Sequence, residues 1–359
     1  MVGKTLYGLE DLLADELRSL GASSVQKGVR NVTFYGDTGF MYKANLCCRT
    51  AIKILKPITA FNVFNENDLY KQIYDFAWEQ YMDATGSLAI DATVFSKQFT
   101  HSKYVALKTK DAIVDRFRDK TGTRPDVDLD HPTLRINIHI DRNICTVSLD
   151  SSGQSLHKRG YKVSSTLAPI NEVLAAGLVM LSGWNGQCDF LDPMCGSGTI
   201  LTEAAMIACN IPPNLNRKEF GFETWRDFDI DLYEVIENAA LKKIRDFNYT
   251  VYGYDTDPIA IKKTKENIKS ASLQDFITVK KHDFFSSKKS EITTEDFIEK
   301  PLHILFNPPY DERLSVSIED FYAKIGNTLK QNYPSSQAWL ITGNLEAFVL
   351  RQAKPTNRR

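Results

Sequence analysis

The stretch LFNPPY, residues 305–310, closes an apolar run that starts at Leu302 and predicts a buried strand. Each proline fixes φ and lacks an N–H, and a residue before proline is driven to extended geometry. The carbonyl groups of Asn307 and Pro308 should therefore stay outside a helix and accept hydrogen bonds. With the ring of Tyr310 beside them, these acceptors suit a planar heterocycle that carries an exocyclic amino group. The alternative is an ordinary turn, because Asn-Pro and Pro-Pro are common in turns.

A glycine-bearing segment lies upstream, at residues 188–199, and reads CDFLDPMCGSGT. Its pattern predicts an apolar strand that ends in an acid, then a tight turn, then a helix. Gly196 and Gly198 allow backbone to approach a ligand at the start of that helix. A GxG pattern alone is weak, but its position between a strand and a helix favours a ligand site.

The next predicted strand, at residues 251–258, reads VYGYDTDP and also ends in acids. A carboxylate at this point can accept both ribose hydroxyls of a nucleoside; Asp255 is our first choice and Asp257 the second. In a dinucleotide site such an acid follows the glycines by roughly 20 residues, whereas Asp255 lies much further along the chain. The third glycine of that motif is also missing, so a nucleoside without phosphates is the better ligand.

A third predicted strand ends at residues 280–285, KKHDFF. Asp283 can accept a hydrogen bond from an adenine amino group, and Phe284 can cover the ring. The alternative for Asp283 is a turn or a helix N-cap.

From residue 188 onward strands and helices alternate, which predicts a parallel sheet. Helices are predicted to begin near residues 199, 258 and 318, and strands are predicted around Phe190, Val251, Ile277, Ile304 and Ala338. Parallel strands present their carboxyl ends on one edge, where open α/β folds bind ligands. Three acid-bearing strand ends followed by NPPY therefore favour the amine-binding interpretation of LFNPPY over the turn.

The order DPMCGSGT, GYDTDP, HDFF and FNPPY resembles the class I S-adenosylmethionine-dependent methyltransferases that methylate amino groups. LHKRGYK at 156–162 and GLEDLLADELRSLGA at 8–22 make the chain similar to the bacterial 23S ribosomal RNA guanine-N2 methyltransferases, whose catalytic domain follows a THUMP domain. NPPY also occurs in adenine-N6 methylases of DNA, so guanine N2 and adenine N6 both remain open from the motif.

The resemblance implies a role for each motif residue. Asn307, Pro308, Pro309 and Tyr310 would hold the target base, with the base extruded and Tyr310 stacked on it. Catalysis would be mostly positioning, with no general base and no metal. The implied cofactor-binding residues are Asp192, Cys195, Gly196 and Gly198 on the methionine and ribose side, Asp255 on the ribose, Asp283 and Phe284 at the adenine, and Glu172 with Asn171, after Ala168–Pro169, where an extra helix closes the pocket.

The first 150 residues predict two antiparallel α+β units, each with one sheet face under helices. Helices are predicted at 9–20, 38–54, 68–81 and 103–120, and strands at 29–35, 58–64, 87–95, 134–140 and 144–149. By resemblance the chain divides into a ferredoxin-like unit (1–57), a THUMP RNA-binding domain (58–153) and a Rossmann-like class I methyltransferase domain (154–359).

Residues 97–124 carry eight Lys or Arg against three Asp, with aromatic residues between them. Such a basic stretch can meet RNA phosphates, although a solvated helix face is the alternative. The predicted RNA contacts are Lys97, Lys103, Lys108, Arg116 and Arg118.

The whole chain is close to neutral, with 44 basic and 45 acidic residues, so net charge favours no particular partner. Its six cysteines form no CxxC pair, which predicts neither a zinc site nor a disulfide framework, and no apolar run reaches membrane-spanning length. We expect a cytoplasmic protein. Residues 209–249 form a long insertion, similar to one in the family, that is expected to shape the substrate side. The chain stops after QAKPTNRR (352–359), where the family continues into the last strand pair of its sheet, so by resemblance we expect a sheet without its last strands.

Two other functions compete with a 23S rRNA guanine-N2 methyltransferase. One is an adenine-N6 methyltransferase of DNA or RNA. The other is a non-catalytic RNA-binding ribosome-assembly factor that has kept the fold.

Overall fold

The computed structural model describes residues 1–165, 169–292, 300–309 and 317–342. The chain forms two compact units, the first made of residues 1–160 and 212–242, the second of residues 161–211 and 243–359. Tyr310, Ala168 and the ending at 352–359 lie outside the described residues.

The helices and strands are numbered in the order of the chain. Up to residue 150 they are β1 (Val2–Lys4), α1 (Glu10–Leu20), β2 (Ser23–Lys27), β3 (Asn31–Tyr35), α2 (Thr38–Cys47), β4 (Lys53–Asn62), α3 (Glu66–Asp75), β5 (Ser87–Phe95), α4 (Ser102–Thr121), β6 (Asp126–Val127), β7 (Leu134–Asp141) and β8 (Ile144–Asp150). They continue with α5 (Glu172–Leu181), β9 (Asp189–Asp192), α6 (Thr199–Ala208), α7 (Ile230–Leu241), β10 (Val251–Asp255), α8 (Pro258–Ser270), β11 (Ile277–Lys281), β12 (Leu302–Phe306), α9 (Ile318–Asn332) and β13 (Ser336–Leu340).

The first unit contains one continuous eight-stranded sheet in the order β2-β3-β1-β4-β8-β7-β5-β6. The two predicted α+β units are therefore joined, because β4 pairs with β8 along most of its length. The sheet is mixed, since β5 runs parallel to β7. Along β7 the residues Ile136, Ile138 and Ile140 are buried, whereas the residues between them point to the opposite face. This alternation is the period of a strand with one face against a core.

The helix predicted at 38–54 is too long. It ends at Cys47, and β4 starts at Lys53. The carboxylate of Glu16, on α1, accepts hydrogen bonds from the backbone N–H groups of Arg49 (2.7 Å) and Thr50 (2.9 Å). These N–H groups are thereby taken out of the helical pattern, so the chain turns into the next strand.

The insertion between α6 and β10 contributes residues 212–242 to the first unit. The ring of Phe222 lies 4.4 Å from that of Tyr42 on α2, and Phe228 and Tyr233 pack around the same ring. These contacts make the segment part of the core of the first unit, and α7 is an element that the sequence analysis missed. The expected role of the insertion on the substrate side stays a prediction.

The second unit contains a five-stranded parallel sheet in the order β11-β10-β9-β12-β13. The strands and the helix starts predicted after residue 188 are confirmed. Helices α5, α6 and α8 contribute to the core on one face of this sheet, and α9 to the core on the other. All five residues of β12 are buried, as expected for a central strand covered on both faces.

No helix in the described ranges combines the length and the apolar character needed to cross a membrane.

Candidate active site

Four polar strand ends lie in spatial order along one edge of the five-stranded sheet. Asp283 follows β11, Asp255 ends β10, Asp192 ends β9 and Asn307 follows β12. Adjacent strands in this order are paired in parallel, so their carboxyl ends meet at the same edge. The predicted convergence of the four motifs on one edge is confirmed.

The turn after β9 depends on glycine. Gly196 has φ +55° and Gly198, the N-cap of α6, has φ +78°. A Cβ atom added to Gly198 would lie 2.6 Å from Cγ2 of Thr264, so the turn has no room for a side chain there. The backbone of Gly198 is thus packed closely against Thr264, and the first turn of α6 begins at this glycine.

Two side chains of α8 donate hydrogen bonds to backbone carbonyls of the glycine turn. Thr264 Oγ1 donates to the carbonyl of Gly196 at 2.7 Å, and Asn267 Nδ2 donates to the carbonyl of Ser197 at 2.9 Å. Asn267 Oδ1 also accepts from the N–H of Val163 at 2.9 Å. The sequence analysis missed both residues; the available signal was two polar residues three positions apart on the buried face of an amphipathic helix.

Asp255 is bound to the same turn. One carboxylate oxygen accepts from the N–H of Gly196 and the other from the N–H of Asp257, both at 2.9 Å. Asp257 is exposed and caps α8, accepting from the N–H of Ile259 at 2.8 Å. The geometry therefore gives Asp257 a capping role and leaves Asp255 as the acid next to the glycines.

Asp192 is buried, with 1 % of its surface exposed. Its carboxyl group accepts from the N–H of Met194 at 3.1 Å. Burial raises the pKa of Asp192 to about 8, and the negative charge of Asp255 acts in the same direction. Burial also raises the pKa of the Cys195 thiol. The backbone N–H of Cys195 donates to the carbonyl of Tyr254 at 2.9 Å. The thiol is therefore protonated, and the carboxyl group of Asp192 titrates near neutral pH.

Asp283 is exposed and closes a turn by accepting from the N–H of Phe285 at 3.0 Å. The alternative that the sequence offered for Asp283, a turn residue, is therefore present in the structure. Phe284 is buried in the core, where its ring packs against Phe306 and Tyr333. The prediction that the Phe284 ring covers a ligand does not agree with this position, because apolar contacts inside the core already surround it.

The start of α5 is held by two polar interactions. Asn171 caps the helix by accepting from the N–H groups of Val173 (2.9 Å) and Leu174 (3.2 Å). Glu172 is buried and forms an ion pair with Lys162 at 2.6 Å. The charge of Glu172 is thus balanced within the second unit.

Residues 307–309, the described part of the LFNPPY motif after its strand, follow β12 directly. Asn307 and Pro309 are half-buried and Pro308 is buried. The carbonyl of Phe306, the last residue of the strand, accepts from the N–H of Ile341 at 3.2 Å, so the strand is paired up to the motif. The motif is therefore anchored to a fixed strand end.

In the first unit, Arg116 is not available for RNA. It is buried, donates to both carboxylate oxygens of Glu79 at 2.8 and 2.7 Å, and donates to the carbonyl of Tyr74 at 2.8 Å. Arg116 holds the pKa of Glu79 far below its usual value. The prediction that Arg116 contacts RNA is wrong in this geometry, because its buried guanidinium is already held in a bidentate ion pair with Glu79.

The other four predicted RNA contacts differ in whether they already have a partner within the protein. Arg118 pairs with Asp115 at 2.6 Å, and the ammonium of Lys108 lies over the ring of Tyr70 at 5.0 Å. Lys97 and Lys103 are exposed and form no ion pair with any residue in the described ranges. Of these four residues, only Arg118 is therefore paired with an acid.

Within the part of the chain that the structure covers, no group of three or more His, Cys, Asp or Glu residues could hold a metal ion.

A parallel sheet with this strand order, a glycine turn after its central strand and acids on the following strand ends defines a Rossmann-like methyltransferase unit. Family models agree with that class: residues 159–354 match the RMKL-like methyltransferase domain, 64–150 the THUMP domain and 1–55 the RlmL ferredoxin-like domain. The chain belongs to the RMKL-like methyltransferase family.

Individual proteins resemble the chain over nearly all of its length. The ribosomal RNA large subunit methyltransferase K/L of Syntrophotalea carbinolica is 37 % identical over 94 % of this chain, which covers 48 % of that protein. The chain thus spans about half the length of this relative.

Two solved structures share the fold. A predicted N6-adenine-specific DNA methylase from Listeria monocytogenes has a TM-score of 0.85 and 27 % identity, covering all of this chain and 92 % of that one. SMU.472, described provisionally as a methyltransferase and solved with SAH, has a TM-score of 0.83 and 27 % identity, covering 96 % and 90 %.

Proposed function

We propose that this protein transfers a methyl group from S-adenosylmethionine to the exocyclic N2 amine of a guanine in 23S ribosomal RNA. The observation that carries the proposal is the ordered set of Asp283, Asp255, Asp192 and Asn307 on one sheet edge. Its support from relatives is the name of the large-subunit rRNA methyltransferase K/L, together with the THUMP match. A ribosomal RNA substrate would also agree with the expected cytoplasmic location.

The residues on this edge fit S-adenosylmethionine. A Cβ atom at Gly198 would clash with Thr264 of α8, so the turn has no side chain at this position, and glycine backbone can approach a ligand closely. Asp255, fixed by two N–H groups, would hold the ribose hydroxyls, and Asp192 would face the cationic side of the cofactor. Cys195, Gly196 and Gly198 would line the same side, Asp283 would accept from the adenine amino group, and Glu172 would close the pocket. A neighbour of similar fold contains SAH.

Positioning would supply most of the catalysis. The cofactor, when bound, supplies an electrophilic methyl group. The side-chain oxygen of Asn307 and the carbonyl of Pro308 would accept from the N–H groups of the target amine and so turn its lone pair toward that methyl. The same acceptors would stabilise the positive charge that develops on the nitrogen. Pro309 would keep this backbone rigid, and Tyr310 would stack on the extruded base.

Adenine N6 is the main alternative, because the Listeria structure is described as a DNA adenine methylase. The N-terminal ferredoxin-like and THUMP matches favour RNA. The decisive experiment incubates the protein with methyl-labelled cofactor and unmodified 23S rRNA, then maps the labelled nucleotide. Label on guanine N2 supports the proposal, whereas label on adenine N6 or on DNA alone overturns it.

Asn307→Ala tests the proposed amine clamp. We expect methyl transfer to fall by at least about a hundredfold, comparable to the loss of an oriented polar group in other active sites, while cofactor affinity stays within about twofold. Asn248→Ala, at an exposed asparagine of the same unit, is the control and should behave like the native protein. Full activity in the Asn307 variant would refute its role.

A non-catalytic RNA-binding protein is the alternative from another class. Calorimetric titration with S-adenosylmethionine separates the two functions, since a protein that binds RNA but no cofactor is not a methyltransferase. Among the basic residues, Lys97 and Lys103 are our proposed RNA contacts, because neither carries an ion pair in the described ranges.

A further inference from the structure

The sheet of the first unit has an open face beside the tip of the β7–β8 hairpin. Phe95 and Ile144 are both register partners of Asp141, so their side chains lie on one face with His139, two residues before Asp141. Phe95 is 64 % exposed and Ile144 55 %. The Phe95 ring contacts the ring of His139 at 5.8 Å, edge to face. Two exposed apolar side chains thus sit on paired, rigid strands instead of on a loop.

Cations surround this open face. The N–H of Arg142, in the hairpin turn, donates to the carbonyl of Phe95 at 2.8 Å, and Lys97 follows Phe95 by two residues. Neither side chain forms an ion pair with any residue that the structure describes. Burial and the nearby charge of Lys4 lower the pKa of His139, and only Asp141 acts the other way. Lys97 and Arg142 therefore bring positive charge without an ion-pair partner in the described residues to the end of the strands that carry Phe95 and Ile144.

The outer face of α4 is different, although more basic residues lie there. Lys110 pairs with Asp111 at 2.7 Å, Arg118 with Asp115 at 2.6 Å and Lys120 with Glu79 at 2.8 Å. This pairing leaves Lys103, at the start of the helix, and Lys108, over the ring of Tyr70, as cations of α4 without an ion pair in the described residues. Beside Phe95, by contrast, the unpaired cations Lys97 and Arg142 accompany exposed apolar side chains.

We propose that the open face of the first unit, formed by Phe95, His139 and Ile144 and flanked by Lys97 and Arg142, binds an unpaired stretch of RNA. This inference rests on the proposed function and specifies the form of RNA that the N-terminal unit takes. One base stacks on Phe95, and the two cations contact the adjoining phosphates.

Stacking is what selects unpaired RNA. Base faces are hidden inside a duplex, whereas single-stranded segments can place them on aromatic side chains. Strands β7 and β8 have sheet partners on both sides, whereas β5 pairs with β6 only at Ser87 and Leu88. A peptide strand could therefore add only along the edge of β5, through main-chain hydrogen bonds that do not use the exposed ring of Phe95. Phosphates also complement the unbalanced cations, which an apolar protein partner would not.

Fluorescence anisotropy with labelled oligouridylate and with an RNA duplex of equal length tests the proposal on the full chain. Phe95→Ala should weaken oligouridylate binding about tenfold, as for the loss of one stacked base, and leave duplex binding unchanged. Phe95→Trp should keep the affinity and show quenching of the added tryptophan. Arg142→Glu should weaken binding and lower its salt dependence, because a phosphate contact is lost.

The controls are Tyr7→Ala, which removes another exposed aromatic ring of the first unit (76 % exposed), and Arg118→Glu on α4. Both should bind oligouridylate like the native protein, and thermal melts should show all variants folded. Native affinity in Phe95→Ala overturns the inference, as does a loss in Arg118→Glu equal to that in Arg142→Glu.

The assay also separates the two proposals. If the native protein methylates rRNA and Phe95→Ala has no effect on RNA affinity, only this inference fails. If oligouridylate binding depends on Phe95 but no methyl group is transferred, the proposed function fails and the RNA surface stands.

Discussion

Thr264 shows how one side chain of α8 controls the glycine turn. Its hydroxyl donates to the carbonyl of Gly196, and its methyl group occupies the space that a side chain at position 198 would need. Thr264 is fully buried, so it acts on the candidate cofactor site through the turn and not by touching a ligand. It is a positioning residue.

Thr264→Val keeps the shape and removes the hydroxyl. The Gly196 carbonyl then loses its donor, which costs about 1 kcal/mol for a buried group, and the turn becomes less fixed. We expect cofactor affinity, measured by calorimetry, to fall roughly fivefold with kcat nearly unchanged. Thr264→Ser keeps the hydroxyl and should restore the affinity. Equal affinities in the valine and serine variants would contradict the positioning role.

We expect cofactor binding to depend on pH through Asp192, if this residue faces the cofactor as proposed. Because burial raises its pKa to about 8, the empty site holds a neutral carboxyl group at pH 6, and a cationic ligand favours the ionised form. Affinity should therefore rise with pH by up to about tenfold per unit and level off above about pH 8. Calorimetry across this range measures the slope, and Asp192→Asn should flatten it. A slope that survives in the asparagine variant would show that another group titrates.

The same shift affects stability in the opposite sense. Between the ordinary pKa of 3.8 and about 8 the unfolded chain has lost the Asp192 proton while the folded chain keeps it. The cofactor-free protein should therefore lose stability as pH rises through this window, and Asp192→Asn should remove that part of the loss in denaturant titrations.

For single residues, the sequence identified the charged residues of the motifs but not the polar residues that position them, such as Thr264 and Asn267. Asp255 could be chosen because an acid at a strand end is conspicuous, and Asp257 was distinguished from it only by its cap hydrogen bond. Arg116 and Arg118 look alike in a sequence, yet one is buried on Glu79 and the other is half exposed. Their difference depends on the position of Glu79, more than thirty residues away in the chain.

Among the elements, the predicted domain boundary falls at residues 150–153, where the composition turns to Ser and Gly, and hydrogen bonds fix the segment that follows it. The guanidinium of Arg217 donates to the carbonyls of Ser152, Gln154, Ser155 and Lys158 at 2.7–3.1 Å. Such a set of hydrogen bonds fixes the backbone path. The predicted domain boundary at residues 150–153 thus lies within the first unit, which continues to residue 160.

Gly160→Ala tests how tightly this segment is packed. Gly160 has φ +94°, and a Cβ atom there would lie 1.9 Å from the carbonyl oxygen of Asn216. We expect a loss of at least about 3 kcal/mol in the free energy of unfolding, from strain plus a backbone clash. Gly122→Ala is the control, since Gly122 has φ +73° and nothing within 4 Å; it should cost only about 1 kcal/mol. Similar losses in urea titrations of the two variants would contradict the packing argument.

Helix and strand identities were predictable where local signals agreed. The helices α6, α8 and α9 begin where a glycine turn, an Asp-Pro pair and a serine predict them, and Gly21 ends α1 in the left-handed conformation. Helix α2 was overextended because its end depends on the Glu16 carboxylate, a tertiary contact that no local pattern encodes.

Across the whole molecule, the chain passes between the two units three times, at residues 160–161, 211–212 and 242–243. Sequence order assigned 212–242 to the catalytic domain. Contacts assign it to the first unit, because Tyr42 packs with Phe222, Phe228 and Tyr233. The sequence could not supply this pairing, since aromatic residues far apart in the chain carry no mark of their partners.

Because residues 212–242 of the first unit lie between two segments of the second, we can predict how fragments of the chain behave. A fragment of residues 154–359 carries 212–242 without the sheet that buries its aromatic side chains, so we expect it to bind a hydrophobic dye and to aggregate. Replacing 212–242 in that fragment by a short Gly/Ser linker should yield a soluble monomer that still binds the cofactor.

A short linker suffices because the two ends of the insertion already meet. Asn210 Nδ2 donates to the carbonyl of Lys243, and the N–H of Arg245 donates to the carbonyl of Cys209, both at 2.9 Å. Dye fluorescence, size-exclusion chromatography and calorimetry on the two fragments measure the difference. If the fragment that keeps 212–242 were monomeric and bound no dye, the aromatic side chains would have a partner within the second unit, and the assignment of the insertion to the first unit would fail.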